Sequence, residues 1–457
     1  MLFEPFWENL MAKSNKNIYF ISLGCDKNRV DAEMLCYKLV EAGFSITGDI
    51  QEADTVIINT CGFIASSKKE GLDNIFDMVN EKELGNIKTI IVTGCLSERH
   101  GEEMRELIPE IDAIVGIGQN SDIVRIVEEA IDGQEHQFER CPLNLPLEGE
   151  RLISTPQHYA YLKIAEGCDN HCTYCAIPGI RGAYRSRAEE DIVNEAGLLV
   201  SYGVRELILV AQDTTNYGKD LNNGESLSRL LKRLCEIEGL WKIRILYAYP
   251  EKITDDLIEV IRSNKVIAKY LDIPLQHADR VVLKRMGRVG SGEDYLYLIE
   301  KLRKSIPDIT IRSTFIAGFP GETEEQFEHL EGFLSKAKLD RVGCFSYSEE
   351  EGTPAGRMKE QIPEEIKEDR TQRVYDLQNK IMKEIQTSKV GNAIEVICDG
   401  YDEDMNAFIC RSDMDAPEDD CCILIPLSAD MVPGEIYEVV INGTDGYNLY
   451  ADIKDYI

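Results

Sequence analysis

The stretch Gly167–Cys175, which reads GCDNHCTYC, places three cysteines at the spacing C-x-x-x-C-x-x-C near the middle of a 457-residue chain. Thiolates this close in sequence can converge on one metal centre, and three of them leave one iron of a cubane cluster open to another ligand. A zinc loop and three unrelated buried thiols are the alternatives, although zinc sites usually close with four ligands. The stretch therefore predicts an iron–sulfur site on Cys168, Cys172 and Cys175.

Three more cysteines follow β-branched runs in the first part of the chain. The runs Ile18–Leu23, Thr55–Thr60 and Lys88–Thr93 each precede a cysteine by one or two positions. Helical patterns follow the runs, which predicts an open parallel sheet wrapped by helices, with ligands beyond the carboxyl ends of the strands. We predict a second three-thiolate site on Cys25, Cys61 and Cys95. Ordinary burial of three small apolar thiols is the alternative.

The central part alternates six strand-like runs with helical patterns, from Tyr159 to Phe345. Tandem β/α units imply right-handed crossovers and a partial (β/α)6 barrel, whose functional groups lie at the carboxyl ends of the strands. This selects the stretches Ala211–Thr215, Pro274–His277 and Gly318–Thr323, which we expect to face one cavity. His277 itself we interpret as a satisfied loop or core histidine.

Arg312 lies within an otherwise β-branched strand of this barrel. A buried guanidinium needs an anionic partner. The carboxylate of a bound cofactor and a carboxylate of the protein are equally good candidates at this point.

The last part of the chain, after Gly391, contains five short strand patterns separated by turns, which predicts a small closed antiparallel barrel. Such barrels often bind nucleic acid, but this one is rich in acids, which favours a basic protein loop as its ligand. These acids are Asp399, Asp402, Glu403, Asp404, Asp413, Asp415, Glu418, Asp419 and Asp420.

Composition sets the remaining expectations. The formal net charge is −32, which favours a basic partner over nucleic acid, although an acidic surface can also simply confer solubility. The fourteen cysteines are scattered through a large chain, which suits reduced thiols in a cytoplasmic protein. We expect no membrane span, and residues 1–15 lack the basic leader of a signal peptide.

The expected domain boundaries follow from these patterns. The three-cysteine domain covers residues 16–133, a linker covers residues 134–153, the central barrel covers residues 154–385 and the terminal barrel covers residues 386–457.

The central cysteine spacing, with Tyr174 before the last cysteine, resembles the radical S-adenosylmethionine (SAM) superfamily. The three-part arrangement is similar to the methylthiotransferases, in which a three-cysteine domain precedes the radical barrel and a TRAM domain follows it. Four stretches resemble the branch that modifies small-subunit ribosomal protein twelve. They are Ser22–Asn28, Asn59–Ile64, Ala211–Thr215 and Asp415–Glu418. The tRNA-modifying branch, of the MiaB and MtaB type, is the alternative.

The resemblance implies two 4Fe–4S clusters, one on each cysteine set, and SAM as both radical source and methyl donor. It implies methylthiolation of the β-carbon of an aspartate in a basic ribosomal protein, without an acid–base catalytic residue. Tyr174, Gln212 and Arg312 would contact the cofactor. An electron donor and a sulfur source would act as partners of a monomeric enzyme. A non-catalytic iron–sulfur scaffold that binds ribosomes is a third hypothesis, from a different functional class.

Overall fold

The computed structural model describes residues 16–134, 136, 138–143 and 146–456, with the backbone alone for residues 455 and 456. The expectation about residues 1–15 lies outside these described residues. Within the part of the chain that the structure covers, none of the helices combines the length and apolar character needed to cross a bilayer.

The first unit is a five-stranded parallel sheet in the order β2-β1-β3-β4-β5. Its strands are β1 (Asn17–Ser22), β2 (Ser45–Thr47), β3 (Thr55–Thr60), β4 (Thr89–Gly94) and β5 (Ala113–Val115). Its helices are α1 (Asp26–Glu41), α2 (Ala65–Glu83), α3 (Cys95–Leu107) and α4 (Ile123–Ile131). The predicted open parallel sheet is confirmed, with two three-residue edge strands that are too short to show a sequence pattern.

Burial explains why β3 and β4 read as continuous apolar runs. Every residue of both strands is buried, because helices cover both faces of a parallel sheet. Ile57 and Ile91 point into the core on one face, and Val56 and Ile58 point into the core on the other. Two apolar layers therefore hold this sheet, and its strand ends are fixed in place.

The central unit begins with β6 (Tyr159–Lys163), the short pair β7 (Ala165–Glu166) and β8 (Arg185–Ser186), and then continues with five further strands. These are β9 (Glu206–Val210), β10 (Lys242–Ile245), β11 (Ile267–Asp272), β12 (Thr310–Ala317) and β13 (Arg341–Ser346). Its helices are α5 (Ile177–Arg181), α6 (Glu189–Ser201), α7 (Leu227–Leu234), α8 (Asp255–Ser263), α9 (Arg280–Arg285), α10 (Gly292–Ser305) and α11 (Glu324–Ala337). The parallel sheet runs β6-β9-β10-β11-β12-β13, which confirms the predicted partial barrel.

The long helix α12 (Glu364–Lys389) leads into the terminal barrel. The barrel strands are β14 (Ala393–Asp402), β15 (Ala407–Arg411), β16 (Ile423–Pro426), β17 (Ile436–Thr444) and β18 (Leu449–Tyr456). They close in the order β14-β15-β16-β18-β17. Closure is confirmed, with one difference from the antiparallel expectation: β16 and β18 pair in parallel, because an odd number of strands cannot alternate direction around a closed ring.

Most of the acids expected to meet a partner instead bind cations of the chain itself. Asp415 pairs with Arg341 at 2.9 Å, and Glu418 pairs with Arg29 of the first unit at 2.7 Å. The other paired acids of that set are Asp399, Asp413, Asp419 and Asp420. The segment between β15 and β16 is therefore largely an internal junction that joins the terminal barrel to the other two units.

Candidate metal centres

The first cysteine set lies at the carboxyl edge of the first sheet. Its strand order is that of doubly wound sheets whose ligand site lies between β1 and β3, where the chain reverses direction across the sheet. Cys25 caps α1 after β1, and Cys61 follows β3. Thr60 pairs with Gly94 across β3 and β4, so Cys61 and Cys95 are adjacent. The predicted set is brought together at one edge.

Close backbone packing leaves no room for larger residues between these cysteines. A Cβ at Gly24 would lie 2.7 Å from Cβ of Cys61, and a Cβ at Gly62 would lie 2.7 Å from the carbonyl oxygen of Cys95. The three loops therefore touch one another through glycines.

Burial and neighbouring charges change the pKa values of the thiols in the first set. Burial raises the pKa of Cys95 to about 12; the charge of Arg181 acts against this rise, and the charges of Cys25 and Cys61 contribute to it. Burial likewise raises the pKa of Cys61. These thiols ionise at neutral pH only beside a strong positive charge, such as a bound iron centre supplies.

The second cysteine set is carried by the loop between β7 and α5. The amide of Cys168 donates to the carbonyl of Gly182 at 3.1 Å, and the amide of Thr173 donates to the carbonyl of Met286 at 2.9 Å. Gly167 has φ +80°, and a Cβ there would lie 2.1 Å from the carbonyl oxygen of Ala183. Glycine is thus required at the entrance of the loop, because any side chain would collide with the backbone.

Tyr249 contacts this loop and was not singled out by the sequence. Its hydroxyl lies 2.9 Å from Sγ of Cys172, and the guanidinium of Arg288 lies 4.2 Å from the centre of its ring. Burial, with a smaller contribution from the charges of Cys172 and Cys168, raises the pKa of Cys175 to about 12. The position of Tyr249 shortly after β10 was the signal available, because side chains at the ends of barrel strands face the site.

The donor chemistry of both sets fits iron–sulfur clusters. All six thiols are free, and glycines keep the surrounding backbone close. Among the described residues, no three His, Cys, Asp or Glu side chains converge closely enough to hold a single metal ion. Thiolates around a cubane cluster bind different irons, so they are not required to meet that spacing.

The predicted cofactor-contact residues lie in different surroundings. Tyr174 is half-buried and packs with Phe319, Met286 and their neighbours beside the loop. The side-chain amide of Gln212 donates to Glu166 at 2.7 Å. Arg312 faces protein carboxylates, those of Asp272, Asp419 and Asp420, at 3.6–3.7 Å. Contact of these three residues with a cofactor stays a prediction.

The strand-end stretch Ala211–Thr215 does reach the cysteine loop. Asp213 is fully buried, accepts a hydrogen bond from the side chain of Asn170 at 2.8 Å and pairs with Lys252 at 2.5 Å. His277 is fully buried, and its Nδ1 accepts from the amide of Asp279 at 2.9 Å. These contacts agree with the interpretation of His277 as a core histidine.

A buried charge cluster lies between the two cysteine sets, and the sequence did not reveal it. It consists of Asp31, Lys163, Glu166 and Arg181. Burial alone would raise the pKa of Glu166, but the charges of Lys163 and Arg181 hold it below its ordinary value. Arg181 also donates to Sγ of Cys95 at 3.2 Å. The first set therefore contacts the helix that follows the second cysteine loop, although the sequence places the two sets in separate domains.

Comparison with known families and proteins agrees with this arrangement. Residues 162–334 match the radical SAM superfamily, residues 17–116 match a family described as uncharacterized protein family UPF0004, and residues 390–453 match the TRAM domain. Among solved structures, the radical SAM methyltransferase TsrM from Kitasatospora setae has a TM-score of 0.55 at 14% identity, over 75% of each chain. The cobalamin-dependent SAM radical enzyme OxsB has a TM-score of 0.52 at 14% identity, over 82% of this chain and 57% of that one. These likenesses show the fold.

Curated relatives show the family. The ribosomal protein uS12 methylthiotransferase RimO of Clostridium tetani is 44% identical over 95% of this chain and 97% of its own. RimO of Clostridioides difficile is 45% identical over 94% and 97%, and RimO of Desulforamulus reducens is 45% identical over 96% and 99%. The resemblance drawn from the cysteine spacing, the three-part arrangement and the four sequence stretches is confirmed, and the chain belongs to the RimO family of radical SAM methylthiotransferases.

Proposed function

We propose that this enzyme methylthiolates the β-carbon of an aspartate in small-subunit ribosomal protein uS12, with SAM as radical source and methyl donor. The observation that supports it most directly is the contact of Arg181 with Sγ of Cys95. Arg181 ends the helix that follows one cysteine loop, and Cys95 belongs to the other set. A reaction that both generates a radical and transfers sulfur needs two such sites side by side.

The cofactors of this proposal are SAM and two iron–sulfur clusters. Cys168, Cys172 and Cys175 would hold the cluster that, when bound, supplies the electron for cleavage of SAM. Cys25, Cys61 and Cys95, the first cysteine set, would hold the other cluster, on which the sulfur chemistry depends. Tyr174, Gln212 and Arg312 are proposed as contacts of SAM.

The residues around the loop Gly167–Cys175 hold its side chains in position and exclude water from the site. Tyr249 fixes the orientation of Cys172 through its hydroxyl, and Asp213 clamps Asn170 together with Lys252. An unactivated C–H bond is out of reach of acid–base chemistry at accessible pKa values, so the protein contributes orientation and a dry site rather than a base.

Fewer acids of the terminal barrel are available to a basic partner than its composition suggested. The end of β14 and the turn that follows it present Asp402, Glu403 and Asp404, with Tyr401 and Met405 beside them at 62% and 57% exposure. We propose that a basic loop of uS12 meets this turn, because within the described part of the chain these three acids form no ion pair of the kind that Asp415 forms with Arg341. Aromatic and methionine side chains are typical of protein contact surfaces.

The remaining partners are also proposals. The chain would act as a monomer and draw on an external one-electron donor and an external sulfur source. A reducing cytoplasm suits fourteen free thiols.

Intact-mass analysis of candidate acceptors tests the function directly. The anaerobically reconstituted chain is incubated with SAM, reductant and sulfide, together with either purified uS12 or bulk tRNA. We expect uS12 to gain one methylthio group in place of one hydrogen, at a single aspartate, while tRNA stays unchanged. Modified tRNA with unmodified uS12 would instead assign the enzyme to the tRNA-modifying type. Absence of deoxyadenosine from the reduced, cluster-loaded sample would favour a non-catalytic scaffold.

A further inference from the structure

The guanidinium of Arg181 links the helix that follows the second cysteine loop to the first cysteine set. Arg181 is the last residue of α5, directly after the cysteine loop, and is 2% exposed. Its Nη2 donates to Sγ of Cys95 at 3.2 Å. The arginine of one unit is thus a hydrogen-bond donor to a thiol of the other.

Three further side chains fix the orientation of that guanidinium. Nη1 donates to the carboxylate of Asp31 and to Oε2 of Glu166, the latter at 3.1 Å. Nη2 also donates to the side-chain oxygen of Asn28 at 3.1 Å. A guanidinium is a rigid planar fork, so these contacts determine where its remaining N–H groups point. One of them points at the sulfur of Cys95.

The same contacts tie Arg181 to the second cysteine loop. Glu166 immediately precedes Gly167, and its other oxygen accepts from Gln212 at 2.7 Å. Lys163 donates to Glu166 at 2.9 Å and to Asp31, so the two carboxylates are shared between two cations. The position of Arg181 therefore depends on α1 of the first unit and on the start of the loop in the central unit.

We propose that Arg181 is a positioning residue for the first site: its N–H···S bond orients the Cys95 thiolate and raises the reduction potential of the cluster held there. This inference rests on the cluster that the proposed function places on Cys25, Cys61 and Cys95. Hydrogen bonds and positive charge at a ligating sulfur favour the reduced, more negative state of a cluster. A purely structural arginine would only compensate Asp31 and Glu166 and would leave the potential unchanged.

The test uses the full chain with Cys168, Cys172 and Cys175 replaced by alanine, so that only the first site can hold a cluster. After anaerobic reconstitution, the potential is measured by redox titration followed by electron paramagnetic resonance. Arg181→Lys keeps the buried charge but not the planar fork, and Arg181→Met removes both. We expect unchanged iron content and a more negative potential, with the larger shift in Arg181→Met. An approximately tenfold fall in the ratio of reduced to oxidised cluster corresponds to about 59 mV for one electron.

Arg187→Lys is the matched control. Arg187 is 4% exposed, pairs with Glu195 at 2.6 Å and donates to the carbonyl of Lys163 at 2.8 Å. Its replacement carries a similar burial cost and should leave the potential unchanged. If Arg181→Met does not fold, the shift in reduction potential of Arg181→Lys alone tests the positioning role.

The outcomes separate the two proposals. An unchanged potential in the iron-loaded Arg181 variants would overturn the positioning role and leave the cluster at the first site standing. Absence of iron from the parent chain with three alanines would overturn the cluster at the first site and, with it, the role of Arg181.

Discussion

Arg29 of helix α1 and Glu418 of the terminal segment form a two-point ion pair, with N–O distances of 2.7 and 2.9 Å. They are separated by 389 positions in the chain. The hydroxyl of Tyr159 donates to the same carboxylate at 3.0 Å. Glu418 therefore contacts both the first unit and the central barrel, and it joins all three units at one point.

Replacement of Glu418 by alanine should loosen this junction. Paired charges of this kind, partly exposed, contribute about 1 kcal/mol. We expect a lower thermal midpoint and faster cleavage by protease between the central and terminal units. Glu403→Ala is the control, because Glu403 lies exposed in the β14–β15 turn. Equal behaviour of the two variants would show that the Glu418 junction contributes nothing measurable.

Iron content should divide equally between the two cysteine sets. Two cubane clusters require about eight irons per chain. Triple alanine replacement of Cys168, Cys172 and Cys175, or of Cys25, Cys61 and Cys95, should each reduce this to about four after anaerobic reconstitution. Cys141→Ala, outside both sets, should retain all the iron. A native chain that binds only about four irons would contradict the two-cluster proposal.

Gly94 should be essential for the first site. Its φ is +96°, and a Cβ there would lie 2.4 Å from the carbonyl oxygen of Thr60. Gly94→Ala should displace β4 from β3, separate Cys95 from Cys61 and lower the iron content by about half. Gly85→Ala is the matched control, since Gly85 has φ +81° but no heavy atom within 4 Å of the added Cβ. It should cost about 1 kcal/mol of backbone strain and retain the iron. Similar iron loss in both variants would point to strain rather than collision.

Glu206 should make stability depend on pH in the acid range. It is fully buried between Arg244 at 2.8 Å and Arg411 at 2.5 Å. Burial alone would raise its pKa, but the charges of Arg411 and Arg244 lower it below the ordinary 4.5. The unfolded state therefore binds the proton more readily, so this contribution is full above about pH 4.5 and is lost as the pH falls below it.

Glu206→Gln should accordingly lower the free energy of unfolding at pH 7 and flatten its decline in acid. The expected loss is about 3 kcal/mol, because a neutral amide cannot balance the two buried guanidinium groups of Arg244 and Arg411. Urea denaturation across the pH range measures both effects. Glu259→Gln, in an exposed pair on α8, should leave the curve unchanged. If the free energy of unfolding of Glu206→Gln fell in acid as steeply as that of the native chain, Glu206 would not be the source of the pH dependence.

Local patterns predicted most of the fold. The apolar runs that became β1, β3 and β4 were visible because parallel strands buried on both faces carry continuous β-branched residues. The short strands β2 and β5 were not visible, because three residues show no periodicity. The parallel pairing of β16 with β18 also lay beyond the sequence, since it follows from the closure of an odd-numbered ring.

The candidate site divides in the same way. Cys168, Cys172 and Cys175 were predictable because the short stretch of chain between them keeps them close together in any fold. Arg312 was visible as a charge in an apolar strand, but its surroundings of protein carboxylates were not. Tyr249 and Arg181 were missed because each becomes significant only through a contact with a distant thiol.

By itself, the sequence determined the six candidate ligands, the order of the three units and the family. These depend on short-range spacing and on periodic burial, which neighbouring residues reveal. Only the tertiary structure decided that Thr60 pairs with Gly94, that Arg181 reaches Cys95, and that most acids of the terminal segment bind cations of the same chain. The physical reason is that a buried charge selects its partner by distance in space, and packing of whole sheets and helices sets that distance.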